Sequence, residues 1–180
     1  MQVLKTHIRL LVFTCLLAGA LAQPARGETL RLDENKIKAG LLYNFLKYTE
    51  WPGAGAGSGL SICLFGGDPF SGALAPLSGR TAQQQSIGIR YISRVEQLAD
   101  CSAVVVHSSA AAAIPAITNF ARSRNILTFS DIGGFASRGG MVEFARKDER
   151  VQVVVNGAAA RAADLHIGAR LLKVATVVNP

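Results

Sequence analysis

Four short strand-like runs constrain this chain more than any other feature: the mainly apolar 60–65, 103–106 and 126–129, and the alternating 87–92. Each is too short for a stable helix, and what separates them is helical spacing or turn residues, so they read as strands joined by helical crossovers. Strands in that rhythm predict an α/β fold, a single-domain sandwich whose mostly parallel sheet is flanked by helices on both faces. Ahead of the first strand, Ile37, Leu41, Phe45 and Tyr48 recur at helical spacing, with Leu42 and Leu46 widening the apolar face. They predict a helix over 35–49, capped by Asp33 and stopped where Trp51-Pro52 forces extended chain before the glycine-rich connection 53–59. A short helix is expected over 70–77 and a single turn over 95–98; Pro115 suits the first position of a helix ending near Arg124. The end of the chain departs from the alternation. Runs 141–145 and 151–155 sit close enough to pair as a C-terminal antiparallel hairpin at a sheet edge. A last helix over 158–175, capped near Asn156 and containing His166, completes the expected order.

The first residues carry a different message. Lys5 and Arg9 precede an apolar stretch from Leu10 to Ala22, followed by small residues, the pattern of an export signal. Residues 1–22 are the expected signal peptide, cut after Ala20-Leu21-Ala22; a second site after Gly27 would leave Glu28 first, and the folded domain is then 28–180. The apolar stretch is shorter than the ~20 residues a membrane-crossing helix needs, so no membrane insertion is expected after its removal. The leader holds two of the 19 Lys and Arg and none of the 12 Asp and Glu, so the remainder keeps a net charge of +5. Those bases are scattered without aromatic interleaving, which argues against a nucleic-acid partner. Losing Cys15 with the leader leaves Cys63 and Cys101 in an oxidising compartment, where a disulfide is expected; two buried free thiols are the alternative.

No catalytic, metal or cofactor set stands out. His107 and His166 lack metal-type neighbours, and Gly66-Gly67-Asp68-Pro69 is neither a dinucleotide fingerprint nor a Walker loop, so it reads as a tight turn capped by Asp68. Open α/β sheets hold ligands beyond the carboxyl ends of their strands, which makes the loops at Asp68, His107 and Asp131 the candidate ligand loops. A small hydrolase built on His107 and Ser108 is the remote variant of that reading. Gly133-Gly134 and Gly139-Gly140 bracket Phe135-Ala136-Ser137-Arg138 and can expose an aromatic beside a cation. This loop and the hairpin after it, through Phe135, Arg138, Met141, Glu143 and Phe144, are the expected partner-binding surface; a plain connection with Phe135 folded inward is the alternative.

The stretch from Lys38 to Pro52, KAGLLYNFLKYTEWP, resembles the opening signature of the YfiR-like periplasmic proteins. Cys63 to Phe70, Thr128 to Asp131, Phe135-Ala136, Gly139 to Phe144 and Asn156 onward follow the same family order. The resemblance implies an α/β protein of the Gram-negative periplasm, without enzymatic activity. It would repress an inner-membrane diguanylate cyclase through the cyclase's periplasmic portion, often as a homodimer, and so lower cyclic di-GMP and biofilm formation. It also implies two disulfides. Cys63 and Cys101 match one; the second pair has no counterpart, because 134–144 contains no Cys, and redox control through that bond loses its basis. The competing function is a periplasmic small-ligand sensor or carrier with no cyclase partner.

Overall fold

The computed structural model describes residues 26–52 and 59–180, so the expected leader 1–22 and the glycine-rich segment 53–58 lie outside the described residues. Leu32–Pro180 forms one compact unit, and the described part of the N-terminal unit is the first turns of one helix. That helix, α1, runs Arg26–Tyr48 and places Asp33 inside it, well past its start, where a cap was expected. Its inner face is Ala39, Leu42, Phe45 and Leu46, all buried, while Ile37 is 54% and Tyr48 41% exposed. Of the residues expected on the apolar face, Leu42, Phe45 and Leu46 are buried and Leu41 packs against the core, so the face holds and only Ile37 and Tyr48 lie outside it. The helix stops because its last carbonyls find partners off the helix: Gly168 N–H donates to Tyr48 O at 2.8 Å, and the Gln83 side-chain amide donates to Leu46 O.

β1 (Thr49–Glu50) is a two-residue strand. β2 (Leu60–Phe65), β3 (Thr81–Ala82), β4 (Gln85–Ile92), β5 (Ala103–Val106), β6 (Leu127–Ser130), β7 (Val142–Lys147) and β8 (Arg150–Asn156) come next, then β9 (His166–Ile167) and β10 (Thr176–Val178). Eight of them form one sheet in the order β10-β8-β7-β6-β5-β2-β4-β3, and β1 pairs with β9 separately. β4, β2, β5, β6 and β7 run parallel, with Leu60 opposite Ile87, Ile62 opposite Ala103 and Phe129 opposite Val142. Residues of β5 and β6 are buried on both sides, as parallel strands between two layers must be. Ile62, Leu64, Val105 and Phe129 face α1, whereas Cys63, Phe65, Val104 and Val106 face α2 (Ile114–Arg122) and its Ile117 and Ala121. Phe129 links the α1 layer to the hairpin, its ring 5.7 Å from Phe45 and 5.9 Å from Phe144.

Pro115 lies in the first turn of α2, as its missing N–H requires. The hairpin β7–β8 pairs antiparallel from Val142↔Val155 to Lys147↔Arg150, and its two loop residues, Asp148 and Glu149, have φ of 48° and 58°. Positive φ at both positions is the turn geometry whose twist matches paired strands, reached here without the usual glycine.

Three expectations are corrected. Residues 70–77 do not form a helix, because Ser71 and Gly72 take positive φ and leave only the 3-10 turn Ala75–Leu77. The hairpin is not the sheet edge, since β10 adds parallel to β8 beyond it. The expected final helix is split into α3 (Gly157–Ala162) and α4 (Ala169–Leu172) around β9, which carries His166. Asp164 at φ 53° ends α3, and Gly168 lets the chain lie against α1, where a Cβ would sit 2.7 Å from Tyr48 O. Asn156 caps α3 as expected, its Oδ1 accepting Ala159 N–H at 2.8 Å.

Cys63 and Cys101 form a disulfide across 38 residues, joining β2 to the turn before β5. Replacing both by Ala is expected to lower stability by about 4 kcal/mol, the loop-closure entropy for that separation. The urea unfolding midpoint measures it, and a midpoint unchanged by the double substitution would show that the bond adds nothing.

Candidate functional site

From β2 the chain crosses to β4 on one side and then returns to β5 and β6 on the other, so the order reverses between β2 and β5. Such a switch point leaves a crevice outside the carboxyl ends of the strands, the usual ligand site of an open α/β sheet. Here the chain fills it. The turn Ser108–Ala113 that follows β5 lies on Gly66 and Gly67 after β2; a Cβ on Gly66 would sit 2.9 Å from Ala110 Cβ and from Ser109 Oγ, and one on Gly67 3.3 Å from the His107 ring. Both glycines have positive φ, 80° and 146°, so only glycine allows this closure. Ser109 Oγ donates to Gly66 O at 2.9 Å, and His107 Nδ1 accepts Ser109 N–H at 3.1 Å.

The three candidate ligand-loop residues line this edge, each already engaged. Asp68 accepts Phe70 N–H at 2.8 Å and Gly72 N–H at 2.6 Å, closing its own turn. His107 directly follows Val106, which is paired with Ser130 just before Asp131. The serine close to His107 is Ser109, at 2.9 Å from Nδ1, and not Ser108. Because its hydroxyl proton goes to Gly66 O, the pair works as a tie between loops and lacks the poised proton transfer a nucleophile needs. Among the described residues no group of three or more His, Cys, Asp or Glu is placed to share a metal ion.

Asp131 belongs to an ion cluster that the sequence reading missed. Lys38 is only 6% exposed, with Nζ 2.9 Å from Glu34 Oε1 and 3.2 Å from Asp131 Oδ2, and Arg146 reaches Glu34 Oε2 at 3.6 Å. A buried ammonium is costly unless paired, and two carboxylates meet that need while joining α1 to the end of β6 and to β7. The signal was the i, i+4 spacing of Glu34 and Lys38 at the start of the signature.

The loop between β6 and β7 is held from within. Phe135, Met141 and Phe144 are buried, and Glu143 is 7% exposed; of the five residues expected to face a partner, only Arg138 is open to solvent. This corrects the expected exposure and favours the inward alternative for Phe135. Phe135 packs over Gly140, where a Cβ would lie 2.2 Å from its ring. The Glu143 carboxylate accepts Gly134 N–H and Ala136 N–H, both at 3.0 Å. Asn156 Nδ2 donates to Ala136 O at 2.8 Å, and Thr128 Oγ1 accepts Met141 N–H at 2.9 Å. Side-chain hydrogen bonds thus order a segment in which the family pattern would place a second disulfide. Beside it an open recess of about 290 Å³ lies between Ser137, Arg122 of α2 and Ala158 and Ala162 of α3.

The structure is a doubly wound α/β domain with a crosslinked parallel core, a filled switch point and a pinned β6–β7 loop. The YfiR/HmsC-like family model matches residues 35–176, and the chain belongs to that family. Among solved structures, a conserved domain protein from Vibrio cholerae O1 biovar El Tor is similar, with 14% identity and a TM-score of 0.56 over 79% of this chain and 59% of that one. The ligand-free, open structure of a substrate binding protein with adhesive properties from Clostridium difficile matches at 10% identity and a TM-score of 0.49, over 67% and 54%. The first likeness is one of fold, and this chain spans about three-fifths of that protein's length. No curated protein matches it in sequence.

Asn156 bridges the pinned loop and α3, so Asn156→Ala removes a cap and strands the Ala136 carbonyl. The expected cost is about 3 kcal/mol. Gly140→Ala is expected to destabilise comparably by driving the Phe135 ring out of its seat. Thermal unfolding of both variants reads these losses; wild-type melting in either would contradict the hydrogen-bond and packing assignments.

Proposed function

We propose that this chain is a periplasmic regulatory binding protein that represses an inner-membrane diguanylate cyclase through the cyclase's periplasmic portion, lowering cyclic di-GMP. The observation that carries this reading is the family match over residues 35–176. Two physical facts support it. The Cys63–Cys101 disulfide fits an oxidising compartment, and the crevice where a doubly wound sheet would hold a substrate is closed by Ser109, His107 and two glycines. Residues 1–22 are the proposed export signal, and 28–180 the proposed folded domain. No helix among the described residues is long and apolar enough to cross a membrane.

Arg138 and Arg122 are the exposed cations beside the pinned loop, and with Ser137 at the rim of the recess they form the proposed partner surface. Because the loop is rigidly held, a partner meets a preformed shape and loses little in ordering it. The recess also supports a second reading, a small-ligand sensor, since 290 Å³ lies near the lower bound of small-molecule sites.

Deleting the gene in its host is expected to raise cyclic di-GMP. Complementation with the wild type restores the low level, and Arg138→Glu with Arg122→Glu does not, while the variant still accumulates with its disulfide formed. Unchanged cyclic di-GMP on deletion would overturn the regulatory reading. A metabolite that shifts thermal unfolding, with no membrane cyclase recovered on co-purification, would favour the sensor instead.

A further inference from the structure

At one end of the large sheet, β3 is too short to cover the strand it borders. It pairs with β4 only through Thr81↔Ser86 and Ala82↔Gln85. The turn before it adds two bonds at Ile87, which accepts Gly79 N–H at 2.9 Å and donates to Arg80 O at 2.8 Å. β4 then runs on to Ile92 with β2 on its inner side alone. Beside a parallel neighbour, successive residues of a strand send their N–H and C=O to opposite sides. Ile87 points outward and Ile92 inward, its O accepting Gly66 N–H at 3.2 Å, so Ile89 and Tyr91 are the residues whose backbone groups face outward. Among the described residues those outward groups have no hydrogen-bond partner. Tyr91 is also 69% exposed, and neither a proline nor a bulge blunts this edge.

We infer that the outer edge of β4, from Ile89 to Tyr91, takes an extended acidic segment of another protein as an added strand. The two outward residues set the occupant's conformation, because only an extended backbone presents donors and acceptors at their spacing. Arg90, between them, sets its charge. Its side chain lies on the face that carries Cys63, and its ion pair with Asp100, at 3.3 Å, is exposed on both sides and worth little, so the guanidinium can take a new carboxylate. The same residue argues against a second copy. Two β4 edges satisfy Ile89 and Tyr91 together only in the antiparallel register that sets 89 against 91, and that register places Arg90 directly opposite Arg90. Like charges so placed repel, whereas Asp or Glu in that position attracts. On the α1 face, Ile89 is partly buried and the Tyr91 ring is open, so apolar residues flanking the acid would cover them. This edge stands at the opposite end of the strand order from β7 and β8, and is separate from the recess beside Arg138.

Fluorescence anisotropy with the purified chain tests the inference without any cyclase, so its failure is separate from failure of the regulatory reading. The probe is a short labelled peptide of alternating Thr and Val with Glu in place of the central Thr, compared with the same peptide carrying Lys there. The Glu peptide is expected to bind roughly fivefold or more tightly than the Lys peptide, and Arg90→Glu to reverse that order. Tyr91→Pro removes only an outward N–H, a change an edge strand tolerates, and is expected to weaken binding by roughly tenfold. The amides of β2 keep their hydrogen-exchange protection in both variants, which separates lost docking from lost fold. No binding of either peptide, or binding indifferent to Arg90→Glu and Tyr91→Pro, would overturn the assignment. So would a wild-type dimer that Tyr91→Pro dissociates, since the edge would then hold a second copy.

Discussion

Polar backbone groups in the loops that leave a buried parallel sheet must be paired, and in this chain side chains of the same chain pair them. Ser109 takes the Gly66 carbonyl, Asp68 takes two amides of its own turn, and Glu143 takes the amides of Gly134 and Ala136. Ser130 Oγ donates to Val106 O at 2.8 Å and accepts Ile132 N–H at 3.1 Å. The bonds at Ala136 N–H and Ser130 Oγ are buried, where an unpaired group costs as much as a lost hydrogen bond, whereas those at Gly66 and Gly72 are exposed and hold the shape of their turns. The same pairing that stabilises the strand ends closes the site that other doubly wound sheets leave open.

Charge and crosslink divide the task of holding the layers. On one face the Lys38 cluster attaches α1 to β6 and β7, close to the aromatic contacts of Phe45, Phe129 and Phe144. On the other, the disulfide lies in the core beneath α2. Because Glu34 and Asp131 keep part of their surface in water, the ion cluster contributes less than a fully dry one would; its role is to fix where α1 sits on the sheet. With both layers fixed, Arg138 and Arg122 remain exposed beside the recess.

What was legible in the sequence was what short-range pattern encodes. The short runs 60–65 and 103–106 are the observed strands to the residue, Pro115 opens its helix, and Asn156 caps the next. Failures arose where tertiary contact overrode local preference. The alanine-rich segment 158–175 has strong helical propensity, yet Asp164 and Gly168 turn it back so that β9 can pair with β1. Period alone could not say where the apolar face of α1 ends: Ile37 and Tyr48 share its spacing yet lie at its exposed flanks. Exposure of the glycine-bracketed loop was inferred from its flexibility, whereas Glu143 and Asn156, 7 and 20 residues from the Ala136 groups they bind, hold it inward. Contacts over such separations leave no periodic trace.

Amide hydrogen exchange at the strand-end loops tests the central claim most directly. If the chain fills its own carboxyl edge, the amides of Ser109, Gly134, Ala136 and Met141 exchange as slowly as those of β6, with no ligand or partner present. Exchange at the rate of an exposed turn, with protection gained only on adding a small molecule, would contradict the account.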